Sequence, residues 1–203
     1  MANSDIREWG NITGSLNYFL QQKIPKSSSV LDIGCHFGTL VHSVWLEGYQ
    51  FVCGIDDNVV SINKGKQKYQ DIADRLTHYN GYKLPYENDQ FDVVTMFDVL
   101  EHIEDIHHYL TYEVNRILKP GGRLIFQTPN AITNIPWEIL THKSLTYYRN
   151  YHVSLQTYSS LSQLLKSAGF TEVIIEKQDL RVPYYVDQLK KYEGRTFPKN
   201  LDS

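Results

Sequence analysis

Apolar positions along the chain switch repeatedly between two periods. Short, predominantly apolar runs occur at 30–34 (VLDIG), 51–56 (FVCGID), 91–97 (FDVVTMF), 123–128 (RLIFQT) and 171–177 (TEVIIEK), with a weaker one near 76–79. Such runs read as strands buried on both faces. Between them, apolar residues recur at helical spacing over 15–24, 39–48, 59–76, 105–119 and 157–170. The first of these helices is followed by Pro25, the second ends on Gly48, the third is expected to weaken at Gly65, and the fourth is stopped by Pro120-Gly121-Gly122. Strands alternating with helices of this length predict βαβ crossovers, hence an α/β fold with a doubly wound, mostly parallel sheet and helices on both faces.

Two stretches break the rhythm. Residues 130–156 separate a strand from its helix by far more than the usual two to six or so residues. This stretch is expected to be an insertion with a functional task. Residues 178–203 show no clear final strand and are expected to form an extension, while residues 1–28 read as an N-terminal arm followed by a lid helix. The central domain then runs from 29 to 177.

Composition narrows the class. The 203 residues carry 20 Lys plus Arg against 23 Asp plus Glu, a formal charge of −3, and no basic stripe, which argues against recognition of nucleic acid through phosphates. Two cysteines make no disulfide framework, and no apolar run reaches the ~20 residues needed to span a bilayer. A cytoplasmic protein is expected, as a monomer or homodimer without a membrane span. The unusual count is aromatic, with 15 Tyr, 8 Phe and 3 Trp. Tyr147, Tyr148, Tyr151 and Tyr158, with Trp137, fall in or beside the insertion.

In open α/β sheets a ligand sits beyond the carboxyl ends of the strands, where the strand order reverses. After the first strand come Asp32, Gly34, Cys35, His36, Phe37 and Gly38, a glycine turn leading into a helix whose amides suit an anionic group. After the second comes Asp56, 22 residues beyond Gly34, with a carboxylate that can take the hydroxyls of a ribose. A dehydrogenase would need G-x-G-x-x-G, and Gly34-Cys-His-Phe-Gly38 does not supply it.

The segments VLDIGCHFG, GID, LPYENDQFDVVTMFDVLEH, LKPGGRLIFQTPN and HVSLQTYSSLSQLLKSAGF together resemble the successive motifs of class I S-adenosylmethionine-dependent methyltransferases. The resemblance is to the small-molecule group that includes quinone-biosynthesis methylases, and it spans about residues 29–177. It implies S-adenosyl-L-methionine as cofactor and S-adenosyl-L-homocysteine as product. On this resemblance Asp32, Gly34, Cys35, His36 and Gly38 hold the methionine moiety and Asp56 the ribose. Asn80 and Gly81 meet the adenine, and Met96 and Phe97 flank the cofactor. Two positions depart from the pattern: His36 stands where the family has its middle glycine, and Asn80 replaces an Asp.

A general base, where the acceptor needs one, is expected at His152 or else His102, each of which also has a purely structural reading. Asp98, Glu101, His102 and His152 further resemble the divalent-metal ligands of some relatives; no metal is assigned, and that point stays open. Tyr18, Trp137, Tyr148 and Tyr151 are expected to line the acceptor pocket, with polar-tipped rings suited to a flat or sugar-like molecule. The expected activity is methyl transfer to an oxygen or nitrogen of a small molecule such as a sugar, quinone precursor or natural-product intermediate. The alternatives are a catalytically silent methyltransferase-like binding module and a methylase of RNA or protein.

Overall fold

The computed structural model describes residues 12–177. It divides into a compact unit that runs through Val173 and a second unit beginning at Ile174. Of the second unit only residues 174–177 are described, in irregular backbone. Tyr184, Tyr185 and Tyr192, and the extension that holds them, lie outside the described residues.

Five parallel strands form the sheet: β1 (Val30–Ile33), β2 (Val52–Asp56), β3 (Leu76–His78), β4 (Phe91–Phe97) and β5 (Leu118–Gln127), in the order β3-β2-β1-β4-β5. The α/β reading therefore holds. β1 is central, with Val30 opposite both Val52 and Val93. Every residue of β1 is buried, as a strand covered on both faces requires. On one face Val30, Val52, Val93 and Ile125 join Phe19, Leu40, Val41, Val44 and Ile62 in a continuous core. Alternation along the strands sends Leu31 and Val94, both fully buried, to the other face.

The helices are α1 (Ile12–Gln21), α2 (Thr39–Leu46), α3 (Val59–Lys68), α4 (106–117, π-helical over Tyr109–Val114), α5 (Ala131–His142) and α6 (Tyr158–Ser167). Asn58 caps α3 by accepting from the amides of Val60 and Ser61, and Thr157 caps α6 in a reciprocal box with Ser160.

Several boundaries differ from expectation. The break after α3 falls at Tyr69, before a 3₁₀ turn over Gln70–Arg75, and not at Gly65. Gly65 is instead a point of close approach: a Cβ there would stand 2.4 Å from the Phe37 carbonyl oxygen, so the glycine lets α3 lie against the turn after β1. α4 ends at residue 117 because Leu118 already pairs with Phe91, and Pro120-Gly121-Gly122 become a register shift inside β5. Leu124, inside a run read as a strand buried on both faces, is only half-buried. No strand forms over 171–177, so the sheet has five strands among the described residues and not six.

The largest difference is the insertion. It carries helix α5, capped by the Asn130 side chain on the Ile132 amide, and a 3₁₀ turn over Tyr147–Asn150. Its two ends meet: Asn130 bridges Gln156 in parallel, and the Ala131 amide donates to the Gln156 carbonyl at 2.9 Å. The chain leaves the end of β5, folds an excursion, and returns to its starting point to begin α6.

Candidate functional site

The strand order reverses between β1 and β4, so the crevice beyond their carboxyl ends is the natural ligand position. One wall is the turn after β1. The amides of Gly34 and Cys35 both donate to the Ile55 carbonyl, at 2.8 and 3.0 Å, tying this turn to β2. Gly34 adopts φ +75°, and a Cβ on it would overlap a Val99 methyl at 2.4 Å, so the segment after β4 rests directly on the turn. Gly38, also left-handed at φ +75°, starts α2 without a side-chain cap. The first amides of α2 are thus not satisfied by a capping side chain, as an anion-binding helix start requires.

His36 explains its own substitution. It holds φ +51°, the left-handed conformation that the family's glycine would supply, and its amide donates to Asp56 Oδ2 at 2.8 Å. The backbone path therefore survives with a bulky residue in place. Asp56 is buried, and its other oxygen accepts from the Asn58 amide at 2.9 Å. These two amides fix the carboxylate's orientation. Asp32 is buried behind the turn, with Thr95 Oγ1 donating to Oδ1 at 2.6 Å. Burial pushes its carboxyl up to about 7; the Thr95 bond opposes this and Asp56 adds repulsion. Burial likewise pushes the Cys35 thiol well up, which leaves it an inert packing group against Gly54.

The other cofactor candidates are placed less uniformly. Gly81, at φ +80°, brings its loop against Asp57. Asn80 Oδ1 accepts from its own loop, from the amides of Tyr82 and Lys83 at 3.1 and 3.3 Å. Met96 is fully buried, and Phe97 packs partly buried against the core. Tyr18, on α1, also packs against that core.

The opposite wall is built by the segment after β4 and the insertion. Asp98 takes φ +55°, and its Oδ1 accepts from Gln127 Nε2 at 3.3 Å. A 3₁₀ turn over Leu100–His102 follows. It clamps the returning insertion: Ser154 Oγ donates to the Leu100 carbonyl at 2.6 Å and its amide to the Glu101 carbonyl at 3.1 Å. His102 Nδ1 donates to the Tyr151 carbonyl at 2.6 Å, and the His102 and His152 rings lie 5.2 Å apart. His152 Nδ1 meets Asn134 Oδ1 of α5 at 3.2 Å. Because an amide oxygen only accepts, Nδ1 carries the proton and Nε2 is left as the acceptor. Burial, followed by repulsion from His102, lowers the pKa of His152, so its neutral form prevails.

Glu101 is 2% exposed, accepts from Thr128 Oγ1 at 2.9 Å, and is pushed up to about 7 by burial. Donor atoms of Glu101, His102 and His152 lie within 4.8 Å of one another, a carboxylate and two imidazoles that could gather around one divalent ion. Asp98 is not in that group. Of the expected acceptor residues, Trp137 and Tyr148 are half-buried and Tyr151 is 56% exposed, with its hydroxyl 3.2 Å from that of Tyr147. Asn134 and Thr128, partners of His152 and Glu101, had no signal of their own in the sequence.

A parallel sheet of this order, with a glycine turn after its first strand and a fixed carboxylate after its second, defines a Rossmann-like methyltransferase fold. The sequence profile of the methyltransferase-domain family matches residues 8–174, and the chain belongs to that family. It is 29% identical over 117 residues to a ubiquinone biosynthesis O-methyltransferase of Coxiella burnetii, covering 57% of this chain and 49% of that protein. It is 33% identical over 111 residues to a demethylmenaquinone methyltransferase of Listeria welshimeri, covering 50% and 45%. The chain thus spans about half the length of these relatives. An S-adenosylmethionine-dependent methyltransferase from Mesorhizobium loti superposes with a TM-score of 0.66 at 18% identity, over 90% of this chain and 94% of its own, which shows the shared fold. No described helix is long and apolar enough to cross a membrane.

Proposed function

We propose that the protein is an S-adenosylmethionine-dependent methyltransferase acting on an oxygen or nitrogen of a small-molecule acceptor. The observation that carries this reading is the pairing of two walls across one switch point. On one side are a left-handed glycine turn, an uncapped helix start and a fixed Asp56 carboxylate. On the other is a neutral histidine with a defined tautomer, set beside the His102 ring. The first wall fits the cofactor: the path at Gly34 has no room for a side chain, the α2 amides suit its carboxylate, and Asp56 suits its sugar diol.

Bound there, S-adenosylmethionine supplies an electrophilic methyl on a good leaving group. The chain's own residues then position, desolvate and deprotonate. Asp32, Gly34, Cys35, His36 and Gly38 shape the methionine end through backbone. His152 takes the acceptor's proton at Nε2, a task worth about 10²–10⁴ in rate for an unactivated hydroxyl. His102 holds the end of the insertion through the Tyr151 carbonyl. Trp137, Tyr148 and Tyr151 present faces and hydroxyls to the acceptor. One relative is named for ubiquinone biosynthesis and the other for demethylmenaquinone, and with the charge of −3 this favours a flat small molecule over RNA.

Calorimetric titration with S-adenosylmethionine and S-adenosylhomocysteine tests the cofactor, and a radiolabelled methyl assay over demethylated quinone precursors, catechols and sugars tests the acceptor. Binding followed by label transfer to one small-molecule class is expected. Failure of both cofactor ligands to bind at millimolar concentration overturns the proposal.

A further inference from the structure

Asp56, Asp57 and Asn80 stand together beyond the ends of β2 and β3, and their acceptor capacity is unequally used. An amide oxygen has two lone pairs. Those of Asn80 both meet backbone amides of its own turn, Tyr82 at 3.1 Å and Lys83 at 3.3 Å. What remains on Asn80 is an NH₂ group, which only donates. Asp56 gives one lone pair of each oxygen to a backbone amide and keeps the others for a sugar diol. Asp57 is exposed, and among the described residues its carboxylate accepts no hydrogen bond.

Its position is nevertheless defined. His78 Nε2 donates to the Asp57 carbonyl at 3.1 Å, fixing the backbone from β3. Asp57 Oδ2 stands 3.4 Å from where a Cβ on Gly81 would lie, so the carboxylate faces the loop expected to meet the base. The paired hydroxyls of Tyr79 and Tyr109, 3.1 Å apart, lie within reach of its charge.

We infer that Asp57, and not Asn80, accepts the exocyclic amine of the cofactor's purine, and so determines which base the site takes. This rests on the cofactor proposed above. An ionised carboxylate accepts strongly from an amine, and it repels a carbonyl oxygen placed at the same point. Replacing amine by oxygen thus loses an attraction and adds a repulsion, the condition under which a polar site discriminates well.

The test compares S-adenosylhomocysteine with S-inosylhomocysteine, which carries oxygen in place of the amine, by calorimetry on the full chain; no methyl acceptor is needed. The wild type is expected to bind the adenosyl ligand at least about tenfold more tightly. Asp57→Leu should weaken the adenosyl ligand and bring the ratio close to one. Asp57→Asn, which keeps an acceptor oxygen, should retain part of it. Asn80→Ala loosens the loop for both ligands and should leave the ratio as in wild type. Circular dichroism checks that each variant is folded. If Asp57→Leu and Asp57→Asn both keep the wild-type ratio, or Asn80→Ala abolishes it, the assignment to Asp57 is overturned while the cofactor stands. If the wild type binds neither ligand, the cofactor and the assignment fall together.

Discussion

The two walls of the crevice are built on different principles. The turn after β1 is a backbone device: left-handed residues at Gly34, His36 and Gly38, amide bonds to Ile55, and buried acids at Asp32 and Asp56. The insertion is a side-chain device. It is held by Ser154 on the 3₁₀ turn, by His102 on the Tyr151 carbonyl, and by Asn134 on His152, with rings half-buried or exposed. A wall of the first kind admits few sequences, because its constraints act on every residue of the turn. A wall of the second kind can be re-lined one side chain at a time.

The sharpest way to break the comparison is to remove chemistry from the second wall alone. His152→Ala should lower methyl transfer about 10²–10⁴-fold for a hydroxyl acceptor. S-adenosylhomocysteine affinity should stay within about twofold, since no contact of the first wall is touched. Single-turnover kinetics and calorimetry on the same preparation read both numbers. A variant that loses both equally would show that the walls are not separable.

The converse change acts on the first wall. Gly34→Ala places a methyl at a left-handed backbone position and drives it into Val99. The conformational term alone is about 1–2 kcal/mol, and the overlap with Val99 adds to it. Denaturant melts should show a loss of at least about 2 kcal/mol, with S-adenosylhomocysteine binding reduced in step. Binding at wild-type affinity in a folded Gly34→Ala protein would remove the argument that close approach is needed there.

The same contrast decides how much was legible in the sequence. The first wall was, because turns of this kind demand glycine and acid at fixed offsets from a strand end. Even so, His36 gave no hint that it would take glycine's backbone angle, since that angle goes with a tertiary hydrogen bond from its backbone N–H to the Asp56 carboxylate. The insertion was located but not its structure. Pro136 interrupts the apolar pattern of α5, although Asn130 marks the start by capping it. The meeting of Asn134 with His152 is tertiary, joining positions 18 apart, and no spacing rule reaches it. The expected strand over 171–177 does not form: the segment is mostly exposed, Ile174 at 71%, so its apolar residues are not gathered into the described core. Its sequence has the composition of a strand, yet among the described residues nothing pairs with it.

A smaller effect separates the walls by pH. Asp32 titrates near 7 in the fold against 3.8 unfolded, raised first by burial. A raised folded value means the native state holds its proton longer than the unfolded chain does. The stability this supplies is present below pH 4 or so and is lost as pH rises through about 7. Glu101, also near 7, and Asp98, raised by burial, act in the same sense. His152, lowered, acts oppositely in acid, where its protonation disfavours the fold. Thermal melts should therefore show stability falling between about pH 4 and pH 7. Asp32→Asn should flatten that slope, and Glu101→Gln should flatten it separately. If Asp32→Asn leaves the slope untouched, the carboxyl of the first wall is not the buried acid described here.

The smallest effect tests the seam between the walls. Ser154 Oγ gives the Leu100 carbonyl a short bond, while its amide independently holds Glu101. Ser154→Ala removes the first and keeps the second, so the insertion stays attached with one tie fewer. A net loss of about 1 kcal/mol is expected for such a bond. The informative result is how that loss is distributed. Ser154 ties the insertion to the segment after β4 and does not touch the turn after β1. S-adenosylhomocysteine affinity should hold, while the acceptor's KM rises and hydrogen exchange quickens at Tyr148–His152. Should cofactor affinity fall instead, the 3₁₀ turn at Leu100–His102 transmits strain through Val99 to Gly34, and the seam belongs to the cofactor wall.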